Sequence, residues 1–89
     1  MNDIQFTPVA WDEYISWQTT DRKMIKKINS LLKSILREGA MQGEGKPEKL
    51  KYRNDEYSRR INDANRLEYK YSDDGTLIIL SCKGHYDHR

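Results

Sequence analysis

The sequence has little of what several protein classes require. Its one cysteine, Cys82, excludes an internal disulfide framework and a zinc site built from cysteines. The longest uninterrupted apolar run is the four residues 77–80, too short to cross a membrane. The first fourteen residues contain no Lys or Arg, whereas a secretion signal begins with basic residues. We therefore expect a reduced, cytoplasmic domain that spans residues 1–89 and contacts no membrane.

Metal and nucleotide chemistry also have little support. The only two histidines, His85 and His88, are three residues apart, and no third ligand lies near them in the sequence. No glycine-rich phosphate loop precedes a helix, so nothing indicates a nucleoside triphosphate. The sequence predicts neither a metal site nor a cofactor.

Charge is present in quantity and is unevenly distributed. Residues 22–66 carry thirteen Lys and Arg against six Asp and Glu, a net charge of +7, whereas the remaining residues sum to −5. A basic segment of this kind favours a polyanion such as RNA. The alternative is a solvated face that only keeps a small domain in solution, and composition leaves both interpretations open.

Hydrophobic spacing predicts two helices followed by a sheet. The predicted elements are a strand at 4–6, helices at 8–18 and 21–38, a long loop at 39–47, and strands at 57–62, 66–71 and 76–82. Thr7 and Asp21 have the residue types that cap helix starts, and Gly39 the type that ends one. The pattern predicts an α+β fold: an N-terminal strand, then a helical hairpin packed on an antiparallel sheet.

A set of polar residues near the predicted strand ends has the composition of a phosphodiester-cleaving site. A carboxylate can accept a proton, an imidazole can donate one, and guanidinium groups can stabilise charge on phosphorus. The set comprises Glu48, Lys51, Arg59, Arg60, Arg66, His85 and Tyr86. The alternative is that these residues are ordinary surface charges, and spacing alone does not exclude it.

Three further features have both a structural and a functional interpretation. Trp11, Tyr14 and Trp17 lie at helical spacing, which is typical of core residues or of a surface that binds a partner. Cys82 follows a buried apolar run, and we expect it to be a core thiol rather than a nucleophile. The Lys and Arg of the second helix form either a polyanion-binding face or a solvated one.

These residues resemble a known family, the Txe/YoeB toxins of bacterial toxin–antitoxin modules in the RelE/ParE superfamily. The resemblance covers nearly the whole chain. The motifs that carry it are Phe6-Thr7-Pro8, Ala10-Trp11, Trp17-Gln18, Lys46-Pro47-Glu48, Leu50-Lys51, Ser58-Arg59-Arg60-Ile61-Asn62, Arg66-Leu67 and His85-Tyr86. The chain differs from the family pattern at Asn65, Lys83 and Gly84, and it continues for three residues after Tyr86.

The resemblance implies a RelE-like fold and a ribosome-dependent mRNA interferase, an endoribonuclease that cuts messenger RNA in the ribosomal A site and needs no metal. The RNA's own 2′-hydroxyl is then the nucleophile. By correspondence with the family, Glu48 is the general base, His85 the general acid and Arg66 the charge-stabilising group. The residues that correspond to RNA-binding positions are Lys51, Arg60 and Tyr86.

The resemblance also implies partners: a cognate acidic antitoxin, the ribosome with its mRNA, and a second copy of the chain in a homodimer. Two other functions remain open. One is a non-catalytic inhibitor like the ParE branch, which has the same fold and poisons DNA gyrase. The other is a small basic module that only binds RNA. An inhibitor of either kind has no need of the acid–base pair Glu48 and His85.

Overall fold

The computed structural model describes residues 3–51 and 53–84, and the chain forms two helices and five strands within those ranges. The elements are β1 Ile4–Phe6, α1 Pro8–Thr20, α2 Arg22–Glu38, β2 Glu48–Lys49, β3 Glu56–Arg60, β4 Arg66–Tyr71 and β5 Leu77–Ser81. Every predicted helix and strand is present, with ends within two residues of the prediction. The α+β class and the helical hairpin are therefore confirmed.

The helix ends are fixed by the predicted capping residues. The Thr7 hydroxyl accepts a hydrogen bond from the Ala10 amide at 3.1 Å, and the Asp21 carboxylate accepts one from the Lys23 amide at 3.1 Å. Gly39 ends α2 with φ +95°, and its amide donates to the carbonyl of Ile35. These local bonds satisfy backbone groups that a helix end leaves without partners.

The sheet is mixed rather than wholly antiparallel. Its strand order is β1-β5-β4-β3-β2, and all neighbours are antiparallel except β1 and β5, which run parallel. The expected antiparallel sheet is thus corrected at one edge. The helical hairpin carries the chain from β1 back across the sheet, so β1 lies beside a strand more than seventy residues away in sequence. The spacing of apolar residues along the sequence carries no information about a pairing between such distant strands.

The short strand β2 was not predicted from the sequence. It contains only Glu48 and Lys49, which pair with Ser58 and Tyr57 of β3. Two residues are too few to show the alternation by which a strand is recognised. This pairing is what attaches Glu48 to the sheet.

Both helices cover one face of the sheet, and the core lies between the two layers. Buried residues of α2 contact buried residues of β4 and β5, among them Leu67 and Tyr69, which are fully buried. Side chains alternate along a strand, so Arg66 points to the opposite face. The register places Ser58 and Arg60 of β3 on that same side. We call this side, defined by Ser58, Arg60 and Arg66, the second face.

Candidate active site

Glu48 is held on the second face at the edge of the sheet. It pairs directly with Ser58, whose hydroxyl donates to its Oε1 at 3.4 Å. The loop before it is also attached to β3, because the Gly45 carbonyl accepts the Arg60 amide at 2.6 Å. The side chain of Glu48 is exposed. A carboxylate oriented by a neighbouring hydroxyl and open to solvent can accept a proton from an incoming ligand.

Arg60 and Arg66 form a cross-strand pair on the same face. They are directly opposite in the register of β3 and β4, and both are half-buried. Arg60 also contacts Asp63 at 3.1 Å. Within the described ranges, the buried Nε atoms of both arginines have no hydrogen-bond partner. Like charges directly opposite one another repel, and a bound phosphate would offset that repulsion and accept these donors.

The other predicted site residues divide into described and undescribed positions. Lys51 lies three residues after Glu48, in the turn between β2 and β3, and its side chain is exposed. His85 and Tyr86 lie outside the described residues. The described chain stops at Gly84, whose carbonyl accepts a hydrogen bond from the Arg66 amide at 2.9 Å. The structure thus brings Glu48, Arg60 and Arg66 to one face, with the residue before His85 bonded to Arg66.

Arg59 does not belong to the site, which corrects its inclusion in the sequence-derived set. It pairs with Leu67 and therefore points into the core beneath the helices, where it is fully buried. Its guanidinium binds loop carbonyls and core hydroxyls instead of facing a ligand. A shift of one residue along a strand reverses the face, so Arg60 lies on the second face and Arg59 points into the core.

A buried ion pair on the second face was missed by sequence reasoning. Glu68 pairs with Ser58 across the strands and is only 1% exposed, and Arg53 lies 3.6 Å from its carboxylate and 3.6 Å from that of Glu56. These three charged residues line part of a depression of about 370 Å³. Only the strand register, which places Glu68 in the row of Glu48 and Ser58, would have indicated this pair.

The outer face of α2 is cationic. Its exposed cations are Arg22, Lys23, Lys26, Lys33 and Arg37. Lys27 differs, because its ammonium contacts the Glu44 carboxylate at 2.6 Å. The Lys27 hydrogen bond, with one from Ser30, holds the pKa of Glu44 below its ordinary value. Lys27 therefore fastens the loop, while the other cations face solvent.

The aromatic residues of α1 are partly packed and partly exposed. Trp11 is 49% exposed and stacks on Tyr14, with 6.0 Å between ring centroids. Trp17 is partly buried, and its Nε1 donates to the carbonyl of Cys82 at 2.9 Å. Cys82 itself is fully buried, which confirms the expected core thiol. Trp17 is thus a packing residue, and Trp11 is available to a partner.

No three His, Cys, Asp or Glu side chains in residues 3–51 and 53–84 are grouped in a way that suits a metal ion. None of the helices described has the length and apolar character needed to span a membrane.

Proteins of known structure place this architecture in a class of bacterial toxins. The YoeB dimer from Staphylococcus aureus superposes with a TM-score of 0.88 and 52% sequence identity, covering 96% of this chain and 98% of that one. The heterotetrameric YoeB-YefM toxin-antitoxin complex from Staphylococcus aureus matches with a TM-score of 0.84 and 52% identity, covering 97% of this chain and 99% of that one.

Sequence comparison specifies the family within that class. Toxin YoeB of Escherichia coli strain K12 is 45% identical over 78 residues, which are 86% of this chain and 90% of the relative. The model of the YoeB-like toxins of bacterial type II toxin-antitoxin systems matches residues 6–86. The chain belongs to this family.

Proposed function

We propose that this toxin is a ribosome-dependent mRNA interferase that cuts messenger RNA in the A site and so stops translation. The observation that carries the proposal is the convergence of Glu48, Arg60 and Arg66 on one face of the sheet. A carboxylate beside two guanidinium groups suits cleavage of a phosphodiester. A protein that acts on translating ribosomes works in the cytoplasm.

The proposed reaction uses the 2′-hydroxyl of the RNA as nucleophile, with no metal or cofactor required. Glu48 takes the proton of that hydroxyl, and the 2′-oxygen attacks the adjacent phosphorus. The bond between phosphorus and the 5′-oxygen breaks while His85 protonates the leaving oxygen. The products are a 2′,3′-cyclic phosphate and a 5′-hydroxyl. Arg66 stabilises the negative charge that builds on the phosphoryl oxygens.

The neighbouring residues support this division of roles. Ser58 donates to Oε1 of Glu48 at 3.4 Å, which orients the carboxylate toward the second face. We assign Lys51, Arg60 and Tyr86 to holding the RNA. Arg60 is directly opposite Arg66 across the strands, so one phosphate can lie between the two guanidinium groups.

Surfaces outside the second face support the proposed partners. The exposed cations of α2 suit the phosphates of ribosomal RNA, whose neutralisation releases counterions. The exposed ring of Trp11 suits an apolar side chain of a cognate acidic antitoxin that folds on binding. A homodimer also fits, since a relative from Staphylococcus aureus is described as a dimer.

The experiment that tests the function is single-turnover cleavage of a messenger bound in the A site of programmed ribosomes. We predict that Glu48→Gln slows cutting by about 10²–10⁴-fold, because one positioned proton acceptor is lost. The matched control is Asp73→Asn, which removes an exposed carboxylate in the turn between β4 and β5, at the end of β4 opposite to Arg66. Its rate should equal that of the wild type.

Three outcomes would contradict the proposal. If Glu48→Gln cuts as fast as the wild type, the carboxylate is not the base. If the wild type binds ribosomes without cutting, the small basic binding module is favoured. Inhibition of DNA gyrase in place of cutting would favour the ParE-like alternative.

A further inference from the structure

The three residues that follow β5 are each held by side chains from elsewhere in the fold. The Cys82 amide donates to Oε1 of Glu13 at 2.7 Å, and its carbonyl accepts from Nε1 of Trp17 at 2.9 Å. The Lys83 ammonium lies 5.4 Å from the centroid of the Trp17 ring. This segment has left the sheet, so these contacts take the place of strand hydrogen bonds.

Gly84, the last of the three, is held through both of its backbone groups. Its amide donates to Oδ1 of Asn65 at 2.8 Å, and its carbonyl accepts the amide of Arg66 at 2.9 Å. Its φ of +81° belongs to the left-handed region that favours glycine. Two consecutive residues at the start of β4 therefore fix a single glycine.

The amide group of Asn65 is itself oriented by the turn between β3 and β4. Its Nδ2 donates to Oδ1 of Asn62 at 3.1 Å. The same Asn62 oxygen accepts the backbone amides of Ala64 at 3.0 Å and of Asn65 at 2.9 Å. With Nδ2 so occupied, Oδ1 of Asn65 is directed at Gly84. The acceptor is a fixed part of the turn, independent of Gly84.

We propose that Asn65 is a positioning residue for the general acid of the toxin. This inference rests on the proposed function, in which His85 protonates the leaving oxygen. His85 follows Gly84 directly in the sequence. Asn65 fixes the Gly84 amide and Arg66 fixes the Gly84 carbonyl, so the two residues constrain the backbone from which the chain continues to the general acid.

Three variants separate this role from general stability. Asn65→Ala removes the acceptor for the Gly84 amide. Asn65→Asp keeps an acceptor oxygen for the Gly84 amide but replaces the Nδ2 donor to Asn62 with a second oxygen, so it should restore the bond only in part. Ser72→Ala is the matched control, because it also removes a side-chain acceptor of a turn amide, that of Thr76 at 3.1 Å, in the β4–β5 turn at the other end of β4.

The expected result combines an activity measurement with a structural one. Single-turnover cleavage by Asn65→Ala on saturating programmed ribosomes should fall about 10–100-fold with unchanged ribosome affinity, because small misplacements of a reacting group are costly. Asn65→Asp should cut at a rate between those of Asn65→Ala and the wild type, and Ser72→Ala should cut at the wild-type rate. Hydrogen exchange of the Gly84 amide should quicken by at least about tenfold in Asn65→Ala alone.

The proposal is overturned if the Gly84 amide exchanges equally in Asn65→Ala and wild type, or if Asn65→Ala cuts at the rate of Ser72→Ala. If the wild type does not cut RNA, the proposed function has failed and a separate readout decides this inference. That readout is the pH titration of the His85 imidazole by NMR. A titration changed by Asn65→Ala but not by Ser72→Ala supports positioning, and one identical in the wild type and both variants overturns it.

Discussion

The guanidinium of Arg59 is the most heavily bonded polar group in the described core. Its five N–H donors make five hydrogen bonds, to the hydroxyls of Tyr69 and Ser34 and to three backbone carbonyls. Those carbonyls belong to residues 39, 42 and 44, in the loop that leads to Glu48. Arg59 therefore fixes the loop from the core side, while the Arg60 amide fixes it from the sheet.

Arg59→Lys should be strongly destabilising although charge is kept. An ammonium has three donors, so at least two of the five acceptors lose their partner in a buried site. We expect the free energy of unfolding to fall by about 2–4 kcal/mol, measured by urea denaturation. Arg60→Lys, at the half-buried neighbour, should change it by less than about 0.5 kcal/mol. Equal stability of Arg59→Lys and the wild type would contradict this role.

Glu44 holds the same loop at the protein surface, and its carboxylate makes the free energy of unfolding depend on pH. Hydrogen bonds from Lys27 and then Ser30 lower the pKa of Glu44 in the folded state. A carboxyl whose folded pKa is lowered stabilises the fold above its unfolded pKa and loses that contribution as pH falls through the folded pKa. We expect Glu44→Gln to be destabilising at pH 7 in urea denaturation, and the difference from the wild type should shrink as the pH falls below the ordinary Glu pKa of about 4.3. A constant difference across this range would exclude the carboxylate as the cause.

The opposite orientations of Arg59 and Arg60 also show why the sequence alone could not assign one residue to the site and the other to the core. The two residues are identical and adjacent, and a strand directs one to each face. Which one faces the core depends on the register between β3 and β4, and a slip of one residue would exchange them. The prediction rested on side-chain chemistry without knowledge of the register, and it therefore included Arg59 in the site.

At the scale of elements, local signals were predictable and distant pairings were not. The caps at Thr7, Asp21 and Gly39 act within a few residues, so the helix bounds could be read from the sequence. The parallel pairing of β1 with β5 depends on how the helical hairpin crosses the sheet. The two-residue strand β2 exists only because β3 lies beside it, so the sheet position of Glu48 could not be read locally.

The exposed lysines of α2 lead to a prediction about ribosome binding. Lys23, Lys26 and Lys33 are exposed on its outer face, whereas Lys27 is paired with Glu44. Changing these three exposed lysines to Gln should flatten the salt dependence of ribosome affinity. Each lost phosphate contact lowers the log–log slope by about 0.7–0.9.

The control variant for this prediction keeps the positive charge of the three side chains. The same three lysines changed to Arg should leave the slope as in the wild type, because the released counterions are unchanged. A triple Gln variant whose slope also equals that of the wild type would show that this face is only solvated.

For the whole molecule, the proposed function assigns ribosome binding and chemistry to opposite sides of the fold. The helices cover one side of the sheet and present their cations outward, while Glu48, Arg60 and Arg66 occupy the second face. A polyanion the size of a ribosome can bind the helical side and still deliver a messenger to the sheet. The central claim is that the second face then cuts this messenger through its own 2′-hydroxyl.

The most direct test replaces one hydroxyl of the substrate. A messenger with a single 2′-deoxy nucleotide immediately upstream of the cut is placed in the A site of programmed ribosomes, and cleavage by the wild-type toxin is compared with that of the unmodified messenger. DNA-like sugar lacks the nucleophile, so we predict that cutting at this position is abolished while ribosome binding is unchanged. Cleavage of the deoxy messenger at an undiminished rate would contradict the account.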